Sequence, residues 1–314
     1  MIRRMSKSSR LIFLDSLRGI AAIAVMVEHI GVSQLEIVKR ISSEYFQFGQ
    51  FGVSLFFLCS GFVIPFSLER TKDLGAFWIS RVFRLYPLYW AALGALLALY
   101  GLSVVTLPER FTEALPLSAI ANITMIQAFL GFEHASSVFW SLGYEMIFYI
   151  LVSIAFVVGI LRRTSLFVLG FCCLCIINPV ITRFILHKAP HLGVTFHFTT
   201  MFFGTLVYRW YAGEITGRSF KLFYAFLFLT ILLVNGFGLY GHETSDVSGV
   251  KTFLPMTSAW VGAYSLFGLF LAAREFRYSG FAKRAGTISY SLYLIHPIVI
   301  AIGISTGNAR LNFV

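Results

Sequence analysis

"LDSLRGIAAIAVMVEH", residues 14–29, poses the problem that the rest of the chain answers. The stretch is apolar enough to begin a membrane span, yet it carries Asp15, Arg18, Glu28 and His29. A charge near the centre of a bilayer costs roughly 2.5 kcal/mol or more, so ionisable residues at that depth face a bundle interior or a wet cavity and serve it. The stretch therefore reads as the first transmembrane helix of a protein with a polar site inside its bundle.

Composition supports that reading. Of 314 residues, 58% are hydrophobic and only 12% charged, and the mean hydropathy of +0.80 exceeds what a soluble core of this length requires. The net charge of +11 sits in short clusters between apolar runs, without a basic stripe or a nucleic-acid reading module, so it is read as membrane orientation. Cys59, Cys172, Cys173 and Cys175 all fall in apolar runs, where they act as small hydrophobes; no disulfide framework or metal-ligand spacing is visible. The basic leader, residues 1–10, imitates the start of a secretory signal. Ionisable residues interrupt the apolar stretch behind it and no small-x-small site follows, so the segment is expected to be retained as a span.

A helical span needs about 20 mostly apolar residues. That template predicts an all-α, polytopic bundle of about nine spans near 12–32, 51–69, 85–107, 138–161, 165–186, 193–211, 219–240, 253–273 and 286–306. "SAIANITMIQAFLG", residues 118–131, is too short and is expected to be re-entrant or interfacial. No soluble domain and no fixed-period repeat interrupts the pattern, so residues 1–314 form a single membrane domain. Most of the 25 Lys and Arg residues fall on one side if the amino terminus is cytoplasmic, and nine spans then leave Val314 outside.

On a regular helix Arg18 and His29, eleven residues apart, share a face at a separation of roughly 16 Å, with Asp15 one turn below Arg18. Ala21, Ala22 and Ala24 leave room for a close neighbour. "FWSLGYEMIFY" repeats Ser141, Glu145 and Tyr149 at four-residue spacing, and "ISYSLYLIHP" puts Ser289, Tyr293 and His296 on one face ahead of Pro297. Counted from the expected span ends, His29, Glu145 and His296 all fall in the middle to outer half of the bilayer. Two imidazoles and a carboxylate at one depth suit proton transfer; taken singly, each also suits a hydrogen bond between helices. In "FWISRVFRLYPLYW", Arg81 and Arg84 stand one turn apart just before the third expected span. Such a pair chelates phosphate through forked hydrogen bonds, and the same pattern between Trp78 and Trp90 serves as an interfacial anchor.

Five phrases, "LDSLRGIAAIAVMVEH", "FGVSLFFLCSGFVI", "RVFRLYPLYW", "FWSLGYEMIFY" and "ISYSLYLIHP", occur in an order that resembles the acyltransferase 3 family of bacterial membrane acyltransferases. The resemblance implies a multi-pass enzyme of the bacterial cytoplasmic membrane. It would move an acyl group, often acetyl, from cytoplasmic acyl-CoA to a hydroxyl of a carbohydrate or glycolipid. Acyl-CoA is then a co-substrate, with no tightly bound cofactor, no metal and no nucleic-acid partner. By position His29 matches the family's essential histidine, Arg18 its L-R-G arginine, and Arg81 with Arg84 the R-x-x-R pair assigned to CoA. Glu145 falls in its W-S-L-x-x-E phrase and His296 in its Y-L-x-H phrase. Family members commonly continue into a tenth span with an acid-proline phrase, which residues up to Val314 do not contain.

These expectations combine into a scheme. Arg81, Arg84 and Arg18 hold the CoA phosphates at the inner mouth, and the pantetheine arm carries the thioester up to His29. His29 acts as general base, Glu145 or Asp15 orients or balances it, and Ser141, Tyr293 and His296 support the site; an acyl-histidine intermediate is the competing scheme. A transporter or flippase using the same groups as a proton relay is the alternative from another class, and it predicts internal repeats and paired broken helices.

Overall fold

The computed structural model describes residues 11–188, 193–239, 244–246, 249–275 and 280–305. The basic leader and the expected extracytoplasmic position of Val314 lie outside the described residues.

The chain is a helical bundle. The first segment forms α1 (Ile12–Met26), a π-helical turn (Val27–Gly31) and α2 (Val32–Gln34), then bends by 119° into the short α3 (Glu36–Glu44). The long helices that follow are α4 (Phe48–Thr71) and α5 (Leu74–Gly101). Two short ones, α6 (Glu109–Glu113) and α7 (Leu115–Ile123), precede α8 (Phe139–Val157) and α9 (Thr164–Val180), which runs on through a second π turn to Ile185. The remaining helices are α10 (Gly193–Tyr211), α11 (Gly217–Leu239), α12 (Phe253–Ala272) and α13 (Gly280–Ser305). A hairpin of two three-residue strands, β1 (Thr244–Asp246) and β2 (Gly249–Lys251), lies between α11 and α12.

Each of the nine apolar segments is helical, but their suitability as spans differs. Among the described residues seven helices are long and apolar enough to cross a membrane, and the bent pair that begins with α1 makes an eighth. The exception is α10, expected as the span at 193–211. It carries His197, Thr199, Thr200, Thr205 and Arg209, and these face protein, for Phe196 to Arg209 are all buried. A helix enclosed by other helices needs no lipid-compatible surface.

The third span begins earlier than the apolar run suggests. Asp73 caps α5 by accepting a hydrogen bond from the Ala76 amide at 3.1 Å, so Arg81 and Arg84 lie inside the helix and not in a link before it. The segment at 118–131 falls short of a span, as expected. It is divided between α7 and a 3₁₀ turn, Gln127–Leu130, and closed by Gly131 at φ +83°. Buried Asn122 ties this cap together, donating to the Ser118 and Glu133 carbonyls at 2.8 and 2.9 Å and accepting from the Ala135 amide at 3.1 Å.

α4 forms the axis of the bundle, packed between α1 and α10, while α1 packs on α13. Lipid tails are as apolar as leucine, so such helices associate through close fit and interhelical hydrogen bonds. Gly61 stands against the Met201 backbone, and Gly204 against that of Leu58, where a Cβ would collide with main chain. Thr205 seals this crossing by donating to the Gly61 carbonyl at 2.9 Å. Gly286 meets the Asp15 backbone in the same manner, fixing α13 on α1.

One end of the bundle gathers the charged links. Arg209 donates to Glu69 at 2.6 and 2.8 Å and to the Leu161 carbonyl at 3.3 Å, and the Arg274 guanidinium lies 5.6 Å from the centre of the Trp210 ring. This is the basic end.

Candidate active site

α1 is regular through Met26 and then opens into the π turn that carries Glu28 and His29. A π turn inserts one residue into helical register and rotates everything beyond it, and such turns recur at functional sites. The eleven-residue arithmetic that put Arg18 and His29 on one face therefore does not apply. His29 instead meets α13, its ring centroid 5.1 Å from that of His296 and the planes inclined by 53°.

Hydrogen bonding sets the state of His296. Its Nδ1 lies 3.0 Å from the Leu292 carbonyl, which only accepts, so Nδ1 carries a proton, and in the neutral ring Nε2 holds the lone pair. That Nε2 is buried and has no hydrogen-bond partner, on a residue only 5% exposed. Tyr293, one turn below, brings its ring within 6.1 Å of the His296 ring, and its hydroxyl is 2.6 Å from Ser141 Oγ.

Two small cavities adjoin here. The first, of about 50 Å³, is lined by His29 with Glu28, Gln47, Trp140 and Tyr293. The second, of about 30 Å³, is lined by Arg18, Ser60, Ser141, Glu145, Tyr290 and Tyr293. Val53 and Tyr293 border both. Ser60 and Tyr149 donate to one oxygen of Glu145, at 2.8 and 2.5 Å. The structure thus brings His29 to His296 and Tyr293, and Arg18 to Glu145 and Ser141. Glu145 and His29 line different cavities.

The carboxylate beside His29 is Glu28. It accepts from Ser42 Oγ at 2.6 and 2.8 Å and from the Gly49 amide at 3.2 Å, binding α3 and the start of α4 to the π turn. Its place in the opening stretch, next to His29, is the signal that marks it, although spacing on a regular helix does not give it a role. Asp15 lies lower on α1, at the crossing with Gly286, with Arg18 in its neighbourhood at Cys59.

Arg81 and Arg84 are not presented together. Arg81 is 7% exposed, donates to Ser67 Oγ at 2.9 Å, and its guanidinium lies 5.5 Å from the centre of the Phe77 ring. Its Nε is buried without a hydrogen-bond partner. Arg84 is exposed and lies in the electrostatic surroundings of Arg18, Arg81, Tyr149 and Glu145. Of the R-x-x-R pair, one guanidinium is therefore turned into the bundle and the other is open.

A family model for an acyltransferase domain matches residues 11–312, nearly the whole chain. The chain belongs to the acyltransferase 3 family. A curated relative, Acyltransferase MdmB of Streptomyces mycarofaciens, is 30% identical over 152 residues, covering 45% of this chain and 38% of that protein. The matched stretch therefore spans well under half of the relative's length. No solved structure matches the chain.

Within this acyltransferase 3 bundle, no group of three or more His, Cys, Asp or Glu side chains among the described residues is arranged to hold a metal ion. What the site does offer is a buried imidazole nitrogen with a free lone pair, a second imidazole beside it, and hydroxyls from Ser141 and Tyr293. Such groups accept and relay a proton.

Proposed function

We propose that this chain transfers an acyl group, in the simplest case acetyl, from cytoplasmic acyl-CoA to a hydroxyl of a carbohydrate or glycolipid, working in the bacterial cytoplasmic membrane. The observation that carries this reading is the His29 and His296 pair, 5.1 Å apart, bordering a cavity inside a helical bundle of the acyltransferase 3 family. An imidazole takes the proton of the acceptor hydroxyl as its oxygen attacks the thioester carbonyl. The new C–O bond forms, the C–S bond breaks, and the proton passes to the departing sulfur as free CoA thiol. A positioned base supplies a factor of about 10² to 10⁴ of such a rate.

The lining of the first cavity supports a hydroxyl-rich acceptor. Gln47 Oε1 is buried without a hydrogen-bond partner and shares the cavity with Trp140, pairing an amide acceptor with an aromatic face. The layout of α4 supports donor entry from the basic end. Gln50 borders the first cavity, Ser60 the second, and Arg70 follows near the end of the helix, roughly 30 Å along the axis from Gln50. The test is release of free thiol from acetyl-CoA by the purified protein, with and without a panel of glycan acceptors. Acceptor-dependent thiol release is expected; its absence with every acyl donor and acceptor tried defeats the reading.

A further inference from the structure

The two small cavities are stacked along the bundle. On α4, Gly49 lines the first and Ser60 the second; on α8, Trp140 lines the first and Glu145 the second; on α1, His29 lines the first and Arg18 the second. α4 and α8 begin beside the first cavity and run toward the basic end, so the second cavity is the one nearer that end. Three helices repeat the same order, and Tyr293 of α13 stands at the junction, in the wall of both.

Tyr293 is 5% exposed, with its ring edge-on to Phe56 at 5.3 Å. Its hydroxyl crosses to α8. There it lies 2.6 Å from Ser141 Oγ, and both hydroxyls lie 3.2 Å from the Val138 carbonyl. A carbonyl only accepts, so one hydroxyl donates to the other and the second donates to the carbonyl. Both protons are used within this set. Hydrogen bonds between membrane helices also serve as plain fastenings, and a fastening lies anywhere along a crossing. This one lies at the level where the cavities meet: Val138 lines the first, Ser141 the second and Tyr293 both.

That position matters because a thioester is attacked by water as well as by a sugar hydroxyl, and one base activates either. Glu28 and His29, in the first cavity, are half-buried, so this is the cavity that water reaches. We propose that the bridge from Tyr293 to Ser141 is a partition by which the enzyme selects a hydroxyl acceptor over water. It holds the thioester in the second cavity, apart from His29 and water, until an acceptor fills the first cavity and the tyrosine side chain swings aside. Tyr293 and Ser141 then set specificity without entering the bond changes. The inference rests on the acyl-CoA reading above. The reaction the partition suppresses is hydrolysis: the water oxygen bonds to the acyl carbon, the C–S bond breaks and a water proton passes to the sulfur, leaving acetic acid and free CoA thiol.

The test gives acetyl-CoA alone to full-length protein purified in detergent and measures free thiol and acetate together. Wild type should hydrolyse it slowly. Tyr293→Phe keeps the ring and loses the hydroxyl, whereas Ser141→Ala keeps the tyrosine and loses its partner. Each should raise acceptor-free hydrolysis by about three- to tenfold, the gain in open population expected when one ordinary hydrogen bond is lost. Tyr293→Leu, which removes the ring as well, should raise it further. Adding His29→Ala to Tyr293→Phe should abolish the gain, which places the hydrolysis at this site. Reduced hydrolysis in Tyr293→Phe and Ser141→Ala at a normal melting temperature overturns the partition and makes the hydroxyls part of the chemistry. Unchanged hydrolysis with a lowered melting temperature overturns it and makes the bridge a fastening. In both cases acceptor-dependent thiol release by wild type leaves the acyl-CoA reading standing. Absence of thiol release from wild type and every variant, with and without the glycan acceptors, defeats that reading and the partition with it.

Discussion

The His29 ring, in a π turn of the first membrane-length segment, stands 5.1 Å from the ring of His296 in α13. Their contact makes the two ends of the chain one site, held by the Gly286 approach to Asp15 below it. Because the Leu292 carbonyl fixes the proton on His296 Nδ1, the buried Nε2 is a ready acceptor. His29→Ala and His296→Ala should each leave the protein folded and lower turnover by about 10² to 10⁴. His296→Asn should not restore activity, because an amide hydrogen-bonds but does not cycle a proton. Near-native turnover in His296→Asn would reduce His296 to a structural bond, and the same result in His29→Ala would remove His29 from the chemistry.

Arg81 and Arg84 should separate in assays that report different things. Arg81 is buried against half-buried Ser67, so Arg81→Ala removes this bond and opens space beside Phe77; a loss of about 1–3 kcal/mol is expected, seen as a lower melting temperature in detergent. Arg84→Gln removes an exposed charge that faces Arg18 and Glu145, and should melt like wild type while raising the donor KM. Replacing both by Lys keeps the positive-inside signal, so insertion should persist. Equal melting temperatures for Arg81→Ala and wild type would contradict the buried placement.

The helices were legible in the sequence because apolar runs of about 20 residues have few other meanings. α10 shows the limit of that signal, since its threonines and His197 fit a helix enclosed by protein, and enclosure depends on partners far away in sequence. The candidate residues were legible as ionisable groups in apolar surroundings. Their pairing was not. A π turn leaves no periodic mark in V-E-H-I-G, so Glu145 looked like the partner of His29, whereas it lies in the next cavity and Glu28 holds the π turn. The inward turn of Arg81 depends on Ser67 of another helix.

His134 gives the cap outside the spans a pH dependence. Its Nδ1 is 2.7 Å from Gln127 Nε2, an amide donor, so the bond requires the neutral ring; burial lowers its pKa from 6.5 to about 4. The unfolded chain binds this proton more readily, so the contribution is complete above about pH 6.5 and is lost as pH falls toward 4, to a total of roughly 3 kcal/mol. Protection factors of the amides in residues 127–138, corrected for the intrinsic pH dependence of exchange, should fall between pH 7 and pH 5 in wild type. His134→Gln should flatten that dependence, and an identical pH response in the variant would assign the titration elsewhere.

Glu28 tests whether the π turn positions His29. Its carboxylate accepts from the single Ser42 hydroxyl, which lies between its two oxygens, and from the Gly49 amide, clamping α3 and the start of α4 against the residue next to His29. Glu28→Ala removes every one of these and leaves the Gly49 amide and the Ser42 hydroxyl without this partner, at a cost of about 1–3 kcal/mol. Glu28→Gln keeps one carbonyl oxygen as acceptor, so it preserves part of the clamp but loses the charge facing the first turn of α4. If Glu28 acts by holding the turn, Glu28→Gln should retain much more activity than Glu28→Ala. Both should lower kcat while leaving donor KM near wild type, because neither touches the basic end. If Glu28 were instead the base, the two variants would be equally inactive, and the amide would rescue nothing.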